Sequence, residues 1–218
     1  MVMKKIVIVS GGKIEDFFAT KWIKEQKPDE IIAADSGMEF LRRNGIKPDV
    51  ILGDFDSVSE ETLAYFKQLE GITWKKLNPI KDDTDTECAI RLAINRGAEE
   101  IALLGATGSR LDHVLGNIEL LGIGLEAGVE IVLVDEHNRV RMRKSGMQLE
   151  KKEQFGKYVS LIPYSKEVKH LYLKGFKYPL EDATLKGFCS LGVSNEIIAD
   201  VAEITFAEGI LLVIESKD

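Results

Sequence analysis

Six short apolar runs rich in β-branched residues punctuate the first 135 residues: Lys5–Val9, Ile31–Ala34, Val50–Leu52, Thr73–Leu77, Ile101–Leu104 and Glu130–Val134. Between them, apolar residues recur three and four positions apart, as in Leu63, Phe66 and Leu69, or Leu115, Ile118, Leu121 and Leu125. The runs suit strands and the spacing suits helices. Strands that alternate with helices are joined by crossovers, so the pattern predicts an α/β fold: an open, mostly parallel, Rossmann-like sheet with helices on both faces.

From Asn138 to Asp218 the texture changes. Short runs such as Tyr158–Ile162, His170–Leu173, Ile204–Phe206 and Ile210–Ile214 are broken by glycine-containing turns, with no long amphipathic helical pattern. This predicts a C-terminal all-β sandwich domain over residues 138–218, after an α/β domain over 1–137.

The net charge of −7 argues against nucleic acid as a partner, because phosphate backbones are bound by clustered Lys and Arg. No run of about 18 apolar residues predicts a membrane span, and the start Met1-Val2-Met3-Lys4-Lys5 leads into a strand-like run rather than a signal peptide, so a cytoplasmic location is expected. Cys88 and Cys189 lack metal-ligand spacing and read as reduced thiols.

The polar clusters of the first domain fall just after the expected strands. Ser10-Gly11-Gly12 follows the first, Asp35-Ser36-Gly37 the second, and Gly53-Asp54-Phe55-Asp56-Ser57 the third. Lys81-Asp82-Asp83-Thr84-Asp85 trails the fourth, and Gly105 to His113, with Gly108, Arg110 and Asp112, follows the fifth. A parallel sheet gathers these loops at the carboxyl ends of its strands, where open α/β sheets bind ligands. Capping accounts for some of the polar residues: Ser57-x-x-Glu60 and Thr84-x-x-Glu87 fit capping boxes, and Asp112 can cap the helix after it. It does not account for the remaining aspartates, which repel one another unless a cation neutralises them. Carboxylates without His or Cys suit Mg²⁺, which completes its shell with water and substrate phosphates and so points to a nucleotide. The glycine turns can offer amides to phosphates, Arg110 and Lys81 can pair with them, and His113 reads as either a base or a structural hydrogen-bonding group. The run Gly187 to Glu196 reads as a turn.

Taken in order, Asp35-Ser36-Gly37, Gly53-Asp54-Phe55-Asp56-Ser57, Lys81-Asp82-Asp83-Thr84-Asp85, Gly108-Ser109-Arg110-Leu111-Asp112-His113 with Asn117, and Ser194-Asn195-Glu196 resemble the thiamin pyrophosphokinase family, over roughly residues 5 to 215. The resemblance implies transfer of the β,γ-diphosphate of ATP to the thiamin hydroxyl with release of AMP, in a homodimer whose thiamin pocket lies near the subunit contact. It implies that Asp54, Asp56 and Asp85 hold Mg²⁺ with Asp82 close by, that Asp35 and Asp112 join the acidic site, and that Gly108, Lys81 and Arg110 lie at the nucleotide. Ser194 and Asn195 would line the thiamin pocket, with the Tyr178 ring stacking on the cation where some relatives carry Trp. One of Asp82, Asp85 or Asp112 would take the hydroxyl proton. The family often has paired glycines where this chain has Ser36 and Ser109.

Two other classes are compatible with parts of the pattern. Asp54-Phe55-Asp56 superficially resembles the nucleophilic loop of haloacid dehalogenase-like phosphatases, although theirs usually follows the first strand. A nucleotide sensor without catalysis would need no such density of acid.

Overall fold

A computed structural model of the chain describes residues 3–78 and 82–218. Two compact units divide between Glu136 and His137. The first runs β1 (Lys5–Val9), α1 (Asp16–Gln26), β2 (Glu30–Ala34), α2 (Gly37–Arg43), β3 (Val50–Gly53), α3 (Glu60–Lys67), β4 (Thr73–Lys76), α4 (Asp85–Asn95), β5 (Glu100–Leu104), α5 (Leu111–Glu119), α6 (Leu121–Ala127) and β6 (Glu130–Val134). Its strands are parallel and ordered β4-β3-β2-β1-β5-β6. In β1, β3 and β5 consecutive residues are buried, as expected of a sheet covered on both faces. Strand order reverses between β1 and β5, and right-handed crossovers put α1 to α3 on one face and the later helices on the other.

At the amino edge of this sheet, aspartates hold the starts of β1 and β2. Asp29 Oδ2 accepts the Lys5 amide at 2.8 Å, and Asp49 Oδ2 accepts that of Ile31 at 2.8 Å. Each aspartate also donates its own amide to the same strand, at 2.9 Å. Carboxylates here fix strand starts.

The second unit contains β7 (Asn138–Arg143), β8 (Met147–Glu150), β9 (Tyr158–Pro163), β10 (Glu167–Lys174), β11 (Leu180–Lys186), β12 (Asn195–Glu196), β13 (Val201–Thr205) and β14 (Leu211–Ser216). Strands β12, β9, β14 and β7 pair antiparallel in that order, and so do β11, β10, β13 and β8. Alternate residues of both sets, among them Val159, Leu161, Leu171, Leu173, Ala202, Ile204, Leu211 and Val213, share one buried cluster. The unit is thus a β-sandwich. A bulge interrupts the alternation of β10 beside His170, whose φ is 54°.

Candidate active site

The loops after β1, β2 and β5, with the starts of α4 and α5, surround a cavity of about 650 Å³ at the carboxyl edge of the parallel sheet. Its wall includes Asp35, Asp85, Gly108, Arg110, His113 and Asn117. Ser57, at the end of the acidic loop after β3, joins it, as do Lys13, Thr84 and Thr86.

The acidic centre is built by backbone geometry. Asp35 ends β2 in the left-handed region, φ 45°, a conformation that Asp tolerates better than bulkier residues. Gly53 lies beside it with φ 152°, where an added Cβ would meet the Asp35 Cα at 3.1 Å, so only glycine allows β3 this approach. Phe55 also takes a positive φ, 70°, and its ring packs edge-on against Trp74 with centroids 5.7 Å apart. The turn brings Asp54 Oδ1 to 3.2 Å from the Asp56 amide, and Ser57 donates its hydroxyl to Asp56 Oδ1 at 2.8 Å. As a result, carboxylate oxygens of Asp35, Asp54 and Asp56 lie within 4.8 Å of one another. At that range two full charges repel by about 3 kcal/mol at an effective dielectric constant of about 20.

Asp35 feels this most. Burial pushes its carboxyl above the usual range, Asp85, Asp54 and Asp56 push it further, and only the Ser36 amide opposes them. Its Oδ1 is buried with no hydrogen-bond partner. An all-oxygen trio with an unsatisfied buried ligand atom suits a hard divalent cation. The trio brought within 4.8 Å contains Asp35, and Asp85, which the resemblance implied as a ligand, stands beside it. Asp85 opens α4, partly buried and near enough to raise Asp35. Its neighbour Thr86 shares a hydroxyl hydrogen bond of 3.0 Å with buried Ser10, which ties α4 to the end of β1. Asp82 is exposed, and Lys81 lies outside the described residues.

The glycines of the first loop serve another purpose than the sequence suggested. Gly12 and Lys13 donate their amides to Gly105 O and Thr107 O, both at 2.8 Å, and a Cβ on Gly12 would sit 2.2 Å from Thr107 O. These glycines allow the loops after β1 and β5 to touch across the sheet's reversal point, and the two amides are committed there rather than free for phosphate. Asn117 Nδ2 steadies the second loop through Ala106 O at 2.8 Å.

Capping is also distributed differently. Ser59, not Ser57, caps α3, while Thr84 caps α4 through the Glu87 amide at 3.2 Å, as expected. Asp112 is not the N-cap of α5, a position taken by Arg110. It lies in the first turn of α5, paired with Arg110 at 2.6 Å, and the Arg110 hydrogen bond holds its carboxyl down to about 2. Ser36 sits at φ −63°, and Ser109 is likewise absent from the residues with positive φ, so neither position requires glycine.

In the β unit, Ser194 is exposed with φ 58°, and its amide donates to Ser160 Oγ at 2.9 Å. Asn195 is buried and its amide group is occupied: Oδ1 accepts from the amides of Tyr178 at 3.0 Å and Glu196 at 2.9 Å, and Nδ2 donates to Tyr178 O at 2.8 Å. It anchors Tyr178, whose ring is exposed with the Lys177 ammonium 5.6 Å from its centroid.

Comparison with known proteins gives the family. Residues 23–133 match the family model of the thiamin pyrophosphokinase catalytic domain, and residues 146–211 that of the thiamin pyrophosphokinase vitamin B1 binding domain. The thiamine pyrophosphokinase of Bacillus subtilis is 34% identical over 99% of this chain and all of its own length. A crystal structure of thiamine pyrophosphokinase from Bacillus subtilis superposes with a TM-score of 0.88 at 34% identity, covering 99% of this chain and 100% of that one. A thiamin pyrophosphokinase from Geobacillus thermodenitrificans gives 0.85 at 32% identity, with 98% of each chain covered. On two family models that follow one another along the chain and a full-length relative at this identity, the chain belongs to the thiamin pyrophosphokinase family.

Proposed function

We propose that the chain transfers diphosphate from ATP to the hydroxyl of thiamin, giving thiamin diphosphate and AMP, with the α/β unit holding ATP and a divalent cation and the β-sandwich holding thiamin. The observation that carries this reading is the carboxylate trio of Asp35, Asp54 and Asp56, with Asp85 nearby, at the edge of the cavity in a chain of this family. Mg²⁺ bound there would neutralise charge on the transferring phosphates.

The chain's own groups supply positioning. The amino ends of α4 and α5 open on the cavity, so their dipoles favour anionic phosphate. Arg110, exposed and paired only at the surface, can turn from Asp112 to a phosphate oxygen. While that pair lasts, Asp112 is a poor proton acceptor, which leaves Asp82 and Asp85 as the proposed acceptors of the hydroxyl proton. In the sandwich, Tyr178 offers a ring to the thiazolium cation, Asn195 fixes its backbone, and Ser194 presents an exposed hydroxyl.

Incubation with ATP, Mg²⁺ and thiamin tests the reading: AMP formed only when thiamin is present supports it, and ADP or free phosphate as the product sinks it. We also propose a homodimer in the cytoplasm. No residue of α5 is buried, and Leu111 and Leu115, one turn apart, are 72% and 63% exposed, an apolar face suited to a second copy. Light scattering should give twice the chain mass, and Leu115→Glu should halve it. Cys88 and Cys189 are not joined in a disulfide, as a reducing compartment would keep them, and no helix among the described residues is long and apolar enough to cross a membrane.

A further inference from the structure

Helix α3 is capped in an unusual way. In a capping box the third helical residue is Glu or Gln and reaches back to the amide of the capping residue. Here Ser59 caps α3 and accepts the Thr62 amide at 3.2 Å, but the third residue is Thr62, which cannot return the bond in that way. The Ser59 amide instead donates to Glu39 Oε1 at 2.8 Å. Thr62, fully buried, donates its hydroxyl to Glu39 Oε2 at 2.5 Å and accepts one from Ser59 at 3.0 Å. The box is completed by a carboxylate from a different helix.

That helix is α2, which begins two residues after Asp35, while α3 follows directly on the loop of Asp54 and Asp56. Glu39 therefore bridges the elements that carry the two halves of the carboxylate trio. The other cross-link among the described residues, Arg42 to Glu61 at 2.8 Å, has a mostly exposed carboxylate and contributes little. Charge repulsion among Asp35, Asp54 and Asp56 tends to spread the two loops in the metal-free protein, and Glu39 opposes that spread.

We infer that Glu39 is a positioning residue for the cation site: by capping α3 from α2 it fixes the spacing between Asp35 and the Asp54/Asp56 loop. The inference rests on the reading of these aspartates as the site of a divalent cation. Groups that orient metal ligands typically change metal affinity by about 10- to 100-fold when replaced.

The test is a Mn²⁺ titration of the full chain, without nucleotide, followed by electron paramagnetic resonance. Glu39→Gln keeps the shape but turns an amide toward the donors of Ser59 and Thr62. It should raise the Mn²⁺ dissociation constant by about 10-fold or more. The Mg²⁺ concentration that half-activates AMP formation should rise in parallel, with kcat recovered at saturating Mg²⁺ and KM for thiamin unchanged. Thr62→Val, which removes one of the two bonds to Glu39 together with the Ser59 hydroxyl's bond to Thr62 and leaves the Ser59 amide on Glu39, should shift both constants the same way by a smaller factor, and decides the matter if Glu39→Gln does not fold. A Mn²⁺ constant within twofold of wild type in a folded variant, even with a lowered melting temperature, would overturn the inference while leaving the cation site standing. Wild-type protein with no saturable Mn²⁺ binding would overturn both.

Discussion

Two carboxylates, one in each unit, are withdrawn from water under opposite conditions. Glu215 of β14 is completely buried, yet Arg139 meets it through Nε and Nη2 at 2.7 and 2.6 Å, Arg141 adds a bond of 2.7 Å, and the Phe155 amide one of 3.3 Å. Burial pushes its carboxyl upward, but the two arginines outweigh this and hold it below the usual range. Asp35 is surrounded by other carboxylates, keeps an unsatisfied oxygen and is pushed upward. Glu215 can only contribute to the fold. Asp35 is raised by burial and by its neighbours' charges, a burden that a bound cation would relieve, and perturbed groups in a cavity are candidates for function. The amino edge of the same sheet adds a third case, since Asp29 and Asp49 are exposed and hold the backbone amides that start β1 and β2.

The contrast can be broken most forcefully at the acidic centre. Asp56→Asn should lower AMP formation by roughly 10³-fold, the scale of losing a preorganised electrostatic contact to the transferring group, with far-ultraviolet circular dichroism unchanged. Retained turnover would remove Asp56 from the cation site. Glu215→Gln should act on stability instead. Breaking a pair at a buried carboxylate costs about 3–5 kcal/mol, or a melting temperature roughly 6–20 °C lower by calorimetry, and a shift below 2 °C would show that the two half-buried arginines find other partners. Because the folded carboxyl lies below its ordinary value of 4.5, its contribution is complete above that pH and is lost as pH falls through the folded value. The gap between wild type and variant should therefore close on acidification.

How much of this was legible in sequence follows the same division. The parallel strands announce themselves because both faces are apolar, and the aspartates stand out because capping cannot absorb them. Strand β7 was hidden: Asn138-Arg139-Val140-Arg141-Met142-Arg143 alternates, but the Arg139 and Arg141 positions are spent on Glu215, 74 residues and more away in the chain. Strand β11, Leu180–Lys186, carries Glu181 and Asp182 and stands outside the runs read as strands, and β12 has two residues and no period at all. At the site, the motif order located the loops but not their backbone. The positive φ of Asp35 and Phe55, the true cap at Ser59 and the commitment of the Gly12 amide all depend on contacts between distant segments. Glu39 had no local signal, since its partners are 20 and 23 residues away.

A smaller effect separates a site awaiting a ligand from one that is complete. Mg²⁺ at about 100 times its dissociation constant should stabilise the wild-type fold by about 2.7 kcal/mol, seen as a rise in melting temperature that chelation reverses. Asp56→Asn should lose most of that rise, whereas Glu215→Gln, although less stable, should keep it in full. Equal responses in the two variants would mean that the cation binds elsewhere.

The smallest expected effect is the most specific. In metal-free protein Asp35→Asn removes a charge that the fold disfavours, so the variant should be the more stable of the two at neutral pH. The sign follows from linkage. The folded carboxyl of Asp35 lies above its ordinary value of 3.8, so the protonated group favours folding below 3.8, and that advantage is lost as pH rises through the folded value. Chemical denaturation should accordingly find the two proteins alike near pH 3.5, and Asp35→Asn the more stable as pH climbs past the elevated value. Saturating Mg²⁺ should then reverse the order, since the neighbours that burden Asp35 in the empty site become its fellow ligands. If Asp35→Asn instead destabilises the metal-free protein at neutral pH, the Asp35 carboxylate is supported by the fold in the way Glu215 is, and the contrast between the two fails.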